Sequence, residues 1–491
     1  MRLPVELRDA LGGWRQGTGP LHQQLATALA AAVERQDLLP GAKLPPERAL
    51  AAQLGVARTT VSAAYERLER SGLVHRRQGR GTHVAGAVGA DGGARAADLA
   101  TSLQRNVLFR RIGESPADAV DLLGSSAPPS QPVREALAAA ARSVNAGELA
   151  GGPGYLPLGY PPLRRAIAAR ITAQGLVTAE EEILVTGGAQ QAISLLASCY
   201  VTPGAAVVLE DPTFPGAIDA FRAAGGRILP VPVRRDGADP DALAVTLAQA
   251  AVRLVYLMPT FHNPTGCVMS EPARRETARL CRISGIPVIE DNTVADLSLG
   301  CEPPLPLAAY GRGAHVVSIG SLSKLFWAGL RVGWSRAPRP VIAQLGRFKA
   351  VADLGTSLVS QAIAVNLLEH TDRIRRLRRR EVAGRLAVLQ DLLQHRLPDW
   401  SWRPPEGGLT IWARLPDGSS ADLAHIACRY GVLIAPGPVM SPTGRFDDYV
   451  RLPFDYQPET LREGIGRLAR AWQAYRGALD ACGPRQVDVI V

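Results

Sequence analysis

The sequence predicts two folded units of different class. Residues 15–84 read as a small α+β unit of three helices and a hairpin. Residues 116–491 read as a large α/β unit: a mostly parallel sheet sandwiched by helices, with a smaller α+β subdomain at its C-terminal end. Three observations predict this. At 491 residues the chain exceeds one ordinary core. Apolar residues before position 84 recur at helical spacing and then alternate around glycines. After about residue 116, helical segments alternate with the short apolar runs EILVTGG, AAVVLEDP, VRLVYLMP, IPVIEDN and HVVSIGS, each closing in a polar or Gly-rich turn. That alternation implies βαβ units, whose ligands collect at the carboxyl ends of the strands. Between the units, VAGAVGADGGARAA has almost nothing large to bury and predicts a flexible linker over 85–115.

The elements of the small unit follow in order. LHQQLATALAAAVERQ places Leu21, Leu25, Leu29 and Ala32 or Val33 on one helical face. LLPGAKLPPE is a turn. A second helix runs from Pro45-Pro46 through ERALAAQL to Gly55, with Pro near its start and Gly past its end. ARTTVSAAYERLERSG gives a third, with Val61, Tyr65 and Leu68 inward. LVHRRQGRGTHVA alternates around Gly79 and Gly81 as a hairpin does. In the large unit, RIRRLRRREVAGRL, residues 373–386, reads as a charged helix with a solvated face.

Composition narrows the function. Net charge is +10, and residues 1–84 hold 12 Lys plus Arg against 7 Asp plus Glu, half of that excess in about a sixth of the chain. Such a concentration points to a nucleic-acid partner. The six cysteines form no CxxC pair, so no metal site is indicated, and they read as reduced, mostly core thiols of a cytoplasmic protein. No apolar run is long enough to span a bilayer, so no membrane partner is expected.

Two short helices joined at Gly55-Val56, the second opening in a basic, hydroxyl-rich turn, predict a helix-turn-helix. Its second helix would present Arg58, Thr59 and Thr60 to phosphates and base edges, with Arg48 gripping the backbone. Arg76, Arg77 and Arg80 flank the hairpin, whose tip glycines let it approach DNA closely. The run LPPERALAAQLGVARTTVSAAYERLERSGLVHRRQGRGTHV resembles the winged helix-turn-helix of the GntR regulator family. The resemblance implies that Arg48, Arg58, Thr59, Thr60, Arg80 and Gly81 contact double-stranded operator DNA.

The large unit carries a different chemistry. Among 55 Lys plus Arg only Lys43, Lys324 and Lys349 are lysine. An ε-amine can lose its proton and attack a carbonyl, which a guanidinium cannot do. In GSLSKLFWAGLRVGW, Ser321, Ser323 and Arg331 around Lys324 offer phosphate donors. VTGGAQQAI ends a strand at Gly187-Gly188 and opens a helix at Ala189, whose N–H groups can cradle a phosphate. DPTFPG supplies Phe214 to stack on a heterocycle, HNPTG supplies Asn263 for a phenolate oxygen, and VIEDN supplies Asp291 for a pyridine nitrogen. Arg451 in DYVRLPF can clamp a carboxylate.

These motifs, in this order, resemble the class I aminotransferase fold, fold type I of pyridoxal phosphate proteins, over roughly residues 120–480. The resemblance implies pyridoxal 5'-phosphate as cofactor. It assigns Lys324 to the aldimine, Asp291 to the pyridine nitrogen and Asn263 to the ring oxygen. Ser321, Ser323, Arg331 and the Gly188-Ala189 turn go to the phosphate, Arg451 to an effector carboxylate, and Tyr155 to the neighbouring subunit's phosphate. Where this family usually has a tyrosine shortly after the aspartate, this sequence reads EDNTVAD, with Thr293 expected in its place. A winged helix, a linker and an aminotransferase-like domain together resemble the MocR subgroup of GntR regulators. That resemblance implies a domain-swapped head-to-tail homodimer and a small amino compound, or the cofactor itself, as signal. A working aminotransferase with an accessory DNA-binding arm is the competing expectation.

Overall fold

The computed structural model describes residues 14, 20–34, 44–70, 74–77, 81–84, 118–125, 128–300, 302–310 and 316–482. The chain divides into two compact units, Met1–Leu103 and Gln104–Val491. The expected linker over 85–115 lies outside the described residues.

The small unit has helices Leu21–Glu34, Glu47–Leu54 and Arg58–Arg70, then strands β1 (Val74–Arg77) and β2 (Gly81–Val84). Leu25, Leu29, Ala32, Leu50, Val61, Tyr65 and Leu68 form its core. Leu21 departs from the expected face: as the first helical residue it stays 44 % exposed. The second helix stops at Gly55, whose left-handed φ of 63° returns its N–H to the Ala51 carbonyl. The chain can then turn at once into the third helix. The Tyr65 hydroxyl donates to the Pro45 carbonyl at 2.9 Å, fixing the entry to the second helix. β1 and β2 pair antiparallel with Arg77 opposite Gly81, the expected wing.

The large unit is built on an eight-stranded sheet. Its strands are β4 (Ile183–Thr186), β5 (Ala206–Asp211), β6 (Arg227–Arg234), β7 (Gly237–Ala238), β8 (Val252–Leu257), β9 (Val288–Asp291), β10 (Val316–Ser321) and β11 (Gly333–Arg336). The order is β4-β11-β10-β9-β8-β5-β6-β7. The five apolar runs of the sequence are β4, β5, β8, β9 and β10, all running in one direction. β11 runs antiparallel between β4 and β10. Period-two alternation explains the continuous apolar runs. Along β8, Leu254 and Tyr256 face the layer of helices Ala189–Tyr200 and Pro215–Ala223. Val255 and Leu257 face the layer of helices Pro240–Gln249 and Glu271–Ser284.

β3 (Val120–Asp121) pairs in parallel with β14 (Val432–Leu433), which stitches the start of the large unit to its C-terminal subdomain. That subdomain has the sheet β12 (Ser401–Trp402), β13 (Thr410–Arg414), β16 (Tyr449–Pro453) and β15 (Ala435–Pro436). Helices Thr371–Arg396, Ser420–Arg429 and Pro458–Cys482 pack on it. The charged run 373–386 lies in the first of these, and its solvated face carries Arg373, Arg376 and Arg380, which are exposed. Arg378 and Arg385 are buried, and both donate to Asp455 Oδ1, at 2.9 and 2.6 Å. Burying a guanidinium is costly without acceptors, and besides the shared Asp455, Arg378 also donates to Glu381 Oε2 at 3.0 Å. Among the described cysteines, Cys267 and Cys281 are core thiols while Cys428 is exposed. Among the described residues no helix is long and apolar enough to cross a membrane.

Asp455→Ala takes the carboxylate from buried Arg385 and leaves Arg378 with Glu381 alone, and is expected to destabilise the large unit by about 3–5 kcal/mol. The check is the urea midpoint followed by tryptophan fluorescence, and an unchanged midpoint contradicts it.

Candidate functional site

Because β4, β5, β8, β9 and β10 run the same way, the turns after them meet at one edge of the sheet. They line a cavity of about 260 Å³. Phe214 follows β5, Asn263 follows β8, Asp291 ends β9, Ser321 ends β10, and Ser323, Lys324 and Arg331 follow it. Ala189 enters from the turn after β4, and Arg451 enters from β16 of the C-terminal subdomain. The expected residues Lys324, Asp291, Asn263, Phe214, Ala189, Ser321, Ser323, Arg331 and Arg451 are thus brought together.

Asp291 is 2 % exposed. Burial pushes its carboxyl above the usual carboxylate range, while donors from Thr293 and Tyr256 and the charge of Lys324 pull it back. The Tyr256 hydroxyl donates to Oδ2 at 2.8 Å. The Thr293 N–H donates to Oδ1 at 2.9 Å, and the Thr293 hydroxyl donates to the same oxygen. Thr293 therefore does not stand in for a tyrosine at a ring oxygen: its hydroxyl is spent on Asp291, and Val294 lines the cavity beside it. Tyr256 escaped the sequence reading. The available signal was a tyrosine inside the apolar run VRLVYLMP, where a buried phenol must find an acceptor.

Lys324 Nζ donates to the Ser125 carbonyl at 2.9 Å. Arg451 is 7 % exposed, and it donates to Asn263 Oδ1 at 3.0 Å, the Leu123 carbonyl at 2.9 Å and Ser125 Oγ at 2.6 Å. Fixing the Asn263 oxygen on Arg451 leaves its amide nitrogen as the donor for another group. The phosphate end is crowded. The Gly187 carbonyl accepts from Arg331 Nη2. A Cβ on Gly188, at φ +111°, would lie 3.0 Å from that same nitrogen. Ser321 Oγ accepts the Ser323 N–H at 3.2 Å, which orients the SxSK turn. A phosphorylated pyridine aldehyde fits this donor set: an amine, a buried carboxylate, an aromatic face, and a glycine turn that no side chain could share with the arginine. Tyr155 lies apart from the cavity and is 65 % exposed.

Behind the cavity lies a second buried acid that the sequence did not single out. Glu210, fully buried on β5, accepts the Met258 N–H at 2.7 Å and sits 3.5 Å from His262 Nε2. Burial pushes Glu210 up to about 8 and His262 down to about 3, so both are neutral at neutral pH.

In the small unit, Arg48 and Thr59 are exposed, and Thr60 is half-buried. Arg58, 58 % exposed at the start of the third helix, is oriented by Glu47 at 3.2 Å. Gly81 opens β2. The expected Arg80 lies outside the described residues, as do the side chains of Arg76 and Arg77.

Fold and cavity together define a two-part protein, a winged-helix module and an aminotransferase-fold domain of the pyridoxal phosphate type. Residues 120–468 match the family described as aminotransferase class I and II, and residues 21–84 match the bacterial regulatory proteins of the gntR family. The chain belongs to the class I and II aminotransferase family over its large unit and carries a GntR-type regulator module ahead of it. It is 28 % identical over 468 residues to the HTH-type transcriptional regulator YdfD of Bacillus subtilis, spanning 91 % of this chain and 95 % of that one. It is 35 % identical to the 2-aminoadipate transaminase of Thermus thermophilus, spanning 71 % of this chain and 88 % of the enzyme. Among solved structures it resembles the α-aminoadipate aminotransferase LysN of Thermus thermophilus, complexed with N-(5'-phosphopyridoxyl)-L-leucine. That match has a TM-score of 0.71 at 30 % identity and covers 77 % of this chain and 97 % of LysN.

Two outcomes are expected. Gly188→Ala meets both a left-handed backbone and the Arg331 guanidinium, so pyridoxal phosphate affinity in a spectral titration falls by about tenfold or more. Glu210 ionises near 4.5 when unfolded but near 8 when folded, so it lowers stability as pH rises between those values. His262, shifted from 6.5 to about 3, has the opposite slope and cancels it below pH 6.5. Glu210→Gln should therefore remove a loss of up to about 2 kcal/mol between about pH 6.5 and 8. Urea midpoints across that range test this, and parallel curves for the two proteins contradict it.

Proposed function

We propose that this chain is a DNA-binding transcriptional regulator of the MocR type. Its large unit holds pyridoxal phosphate and reads a small amino compound, or the cofactor itself, as signal. One observation carries the reading: the chain that builds the Lys324 cavity also carries a helix-turn-helix with Arg48, Arg58 and Thr59 turned outward. Relatives of the same two-part build, spanning nine-tenths of the chain, are named as transcriptional regulators.

The residues have separable tasks. Bound through Lys324, pyridoxal phosphate supplies an electrophilic carbon that an amine can address. Lys324 would hold the cofactor's aldehyde carbon through its amine, and Asp291 would face the pyridine nitrogen and keep a proton there. Asn263 would donate to the ring oxygen, Phe214 would pack on the ring, and Arg331, Ser321, Ser323 and the Gly188-Ala189 turn would receive the phosphate. Arg451 offers its fork to an effector carboxylate. Signal transmission starts at Ser125, whose carbonyl accepts from Lys324 and whose hydroxyl accepts from Arg451. An effector carboxylate that takes Arg451 from the Ser125 hydroxyl loosens that residue. That residue lies four positions past β3, where the chain enters the large unit. A differential of about 1–3 kcal/mol between two arrangements suffices for regulation.

A homodimer reading two DNA half-sites accompanies this reading. Tyr155, Val351, Leu354 and Val359 are 65, 91, 51 and 57 % exposed. The Leu156 backbone packs on Gly355, which brings Tyr155 near Leu354. Tyr155 on that face is suited to a partner's phosphate. The kinship with a transaminase at 35 % identity keeps a second reading, an active aminotransferase with a DNA arm.

Purified protein with added pyridoxal phosphate is expected to develop a visible absorbance band that Lys324→Ala lacks. DNA from upstream of its own gene should be shifted, with Arg58→Ala weakening binding and reducing the salt slope by about 1. Sustained turnover between amino donor and keto acceptor at about 1 per second or faster would favour the enzyme instead.

A further inference from the structure

One buried cation has no part in the contacts above. Lys349 is fully buried on helix Arg339–Asp353. Its Nζ donates to the two oxygens of Asp353 at 2.7 and 2.5 Å, and to Gln191 Oε1 at 3.3 Å. Gln191 is the third residue of helix Ala189–Tyr200, the helix that opens at the phosphate turn. Its Nε2 donates to Asp353 Oδ2 at 2.6 Å, and its Oε1 accepts the Gly187 N–H at 2.7 Å. The carbonyl of that same Gly187 accepts from Arg331 Nη2. Both polar groups of Gly187 are therefore committed, one to the buried network and one to the phosphate arginine.

An ammonium removed from water costs several kcal/mol unless its partners are well placed. Asp353 is the obvious partner, but its side chain is 27 % exposed, and an ion pair at a helix end needs no burial. Burial brings Lys349 to Gln191, whose amide would otherwise be free to rotate. With the oxygen facing Lys349 and the nitrogen facing Asp353, the amide has one orientation, and its oxygen points at Gly187. A compact ammonium suits this three-oxygen nest better than a planar guanidinium, which accounts for lysine in a chain that otherwise uses arginine. Burial works to raise the Asp353 carboxyl, and the hydrogen bonds from Lys349 and Gln191 overcome it and hold it below its usual range.

We propose that Lys349, Asp353 and Gln191 are positioning residues that lock the Gly187-Gly188 turn and, through the Gly187 carbonyl, aim Arg331 at the cofactor's phosphate. The inference rests on the pyridoxal phosphate reading and adds that affinity for the phosphate group, separately from the aldehyde, is set by a network that does not touch it.

The test compares pyridoxal phosphate with pyridoxal, which has the same aldehyde and no phosphate, each titrated into the full chain by its Lys324-dependent absorbance. Gln191→Ala and Lys349→Met are each expected to lose about tenfold in affinity for pyridoxal phosphate, about 1.4 kcal/mol, while pyridoxal changes by less than about twofold. Inorganic phosphate should likewise compete less well in the variants. Equal losses for both aldehydes would make the network a fold support only and overturn the proposal. So would unchanged affinity for pyridoxal phosphate. Gln191→Ala keeps the buried ion pair, so it remains informative if Lys349→Met fails to fold. If the wild type itself gives no Lys324-dependent band, the cofactor reading fails. If it gives one and the variants match it, only the present inference does.

Discussion

The large unit is organised around a carboxylate kept from water. Asp291 closes a central strand at 2 % exposure, and an ionised group there is unfavourable by several kcal/mol unless donors and a cation surround it. The sheet order provides them. β9 lies between β8 and β10. β8 contributes Tyr256, the turn after β10 contributes Lys324, and the turn after β9 contributes Thr293. Moving β8 by one position would take the Tyr256 hydroxyl away and leave the acid to Thr293 and Lys324. The strand order is thus the arrangement that lets acid and amine coexist at one end of a dry sheet.

The same logic recurs wherever the chain buries charge. Arg378 and Arg385 share Asp455 in the C-terminal subdomain, and Lys349 is nested between Asp353 and Gln191 beside the phosphate turn. Glu210 and His262 take the other solution and give up their charges. Four buried sites use two strategies, pairing where a fixed dipole or charge serves the fold and neutrality where it does not.

Ser125 bears on the link between chemistry and regulation. It touches both Lys324 and Arg451, and it stands where the polypeptide enters the large unit. Lys324 and Arg451 are thus both tied to that entry segment. A fold that elsewhere supports catalysis can therefore serve as a sensor by changing what is attached ahead of β3.

The helices of the winged module, five of the parallel strands and the chain-order motifs were legible in the sequence because each depends on local periodicity or on turn chemistry. Lys324, Asp291, Asn263 and Arg331 could be picked out because their residue types suit a specific reaction and sit at strand ends. What escaped was pairwise and distant. Tyr256 reaches Asp291 across 35 positions and Gln191 reaches Asp353 across 162, and in both cases an ordinary polar residue gains its meaning from a partner on another element. The burial of Arg378 and Arg385 on the inner face of 373–386 was hidden for the same reason, since Asp455 lies 77 positions beyond Arg378. By itself the sequence determined which residues could do the chemistry, since reactivity belongs to the side chain. Only the tertiary structure decided which of them are held, protonated and aimed, since those properties belong to neighbours brought together by the sheet.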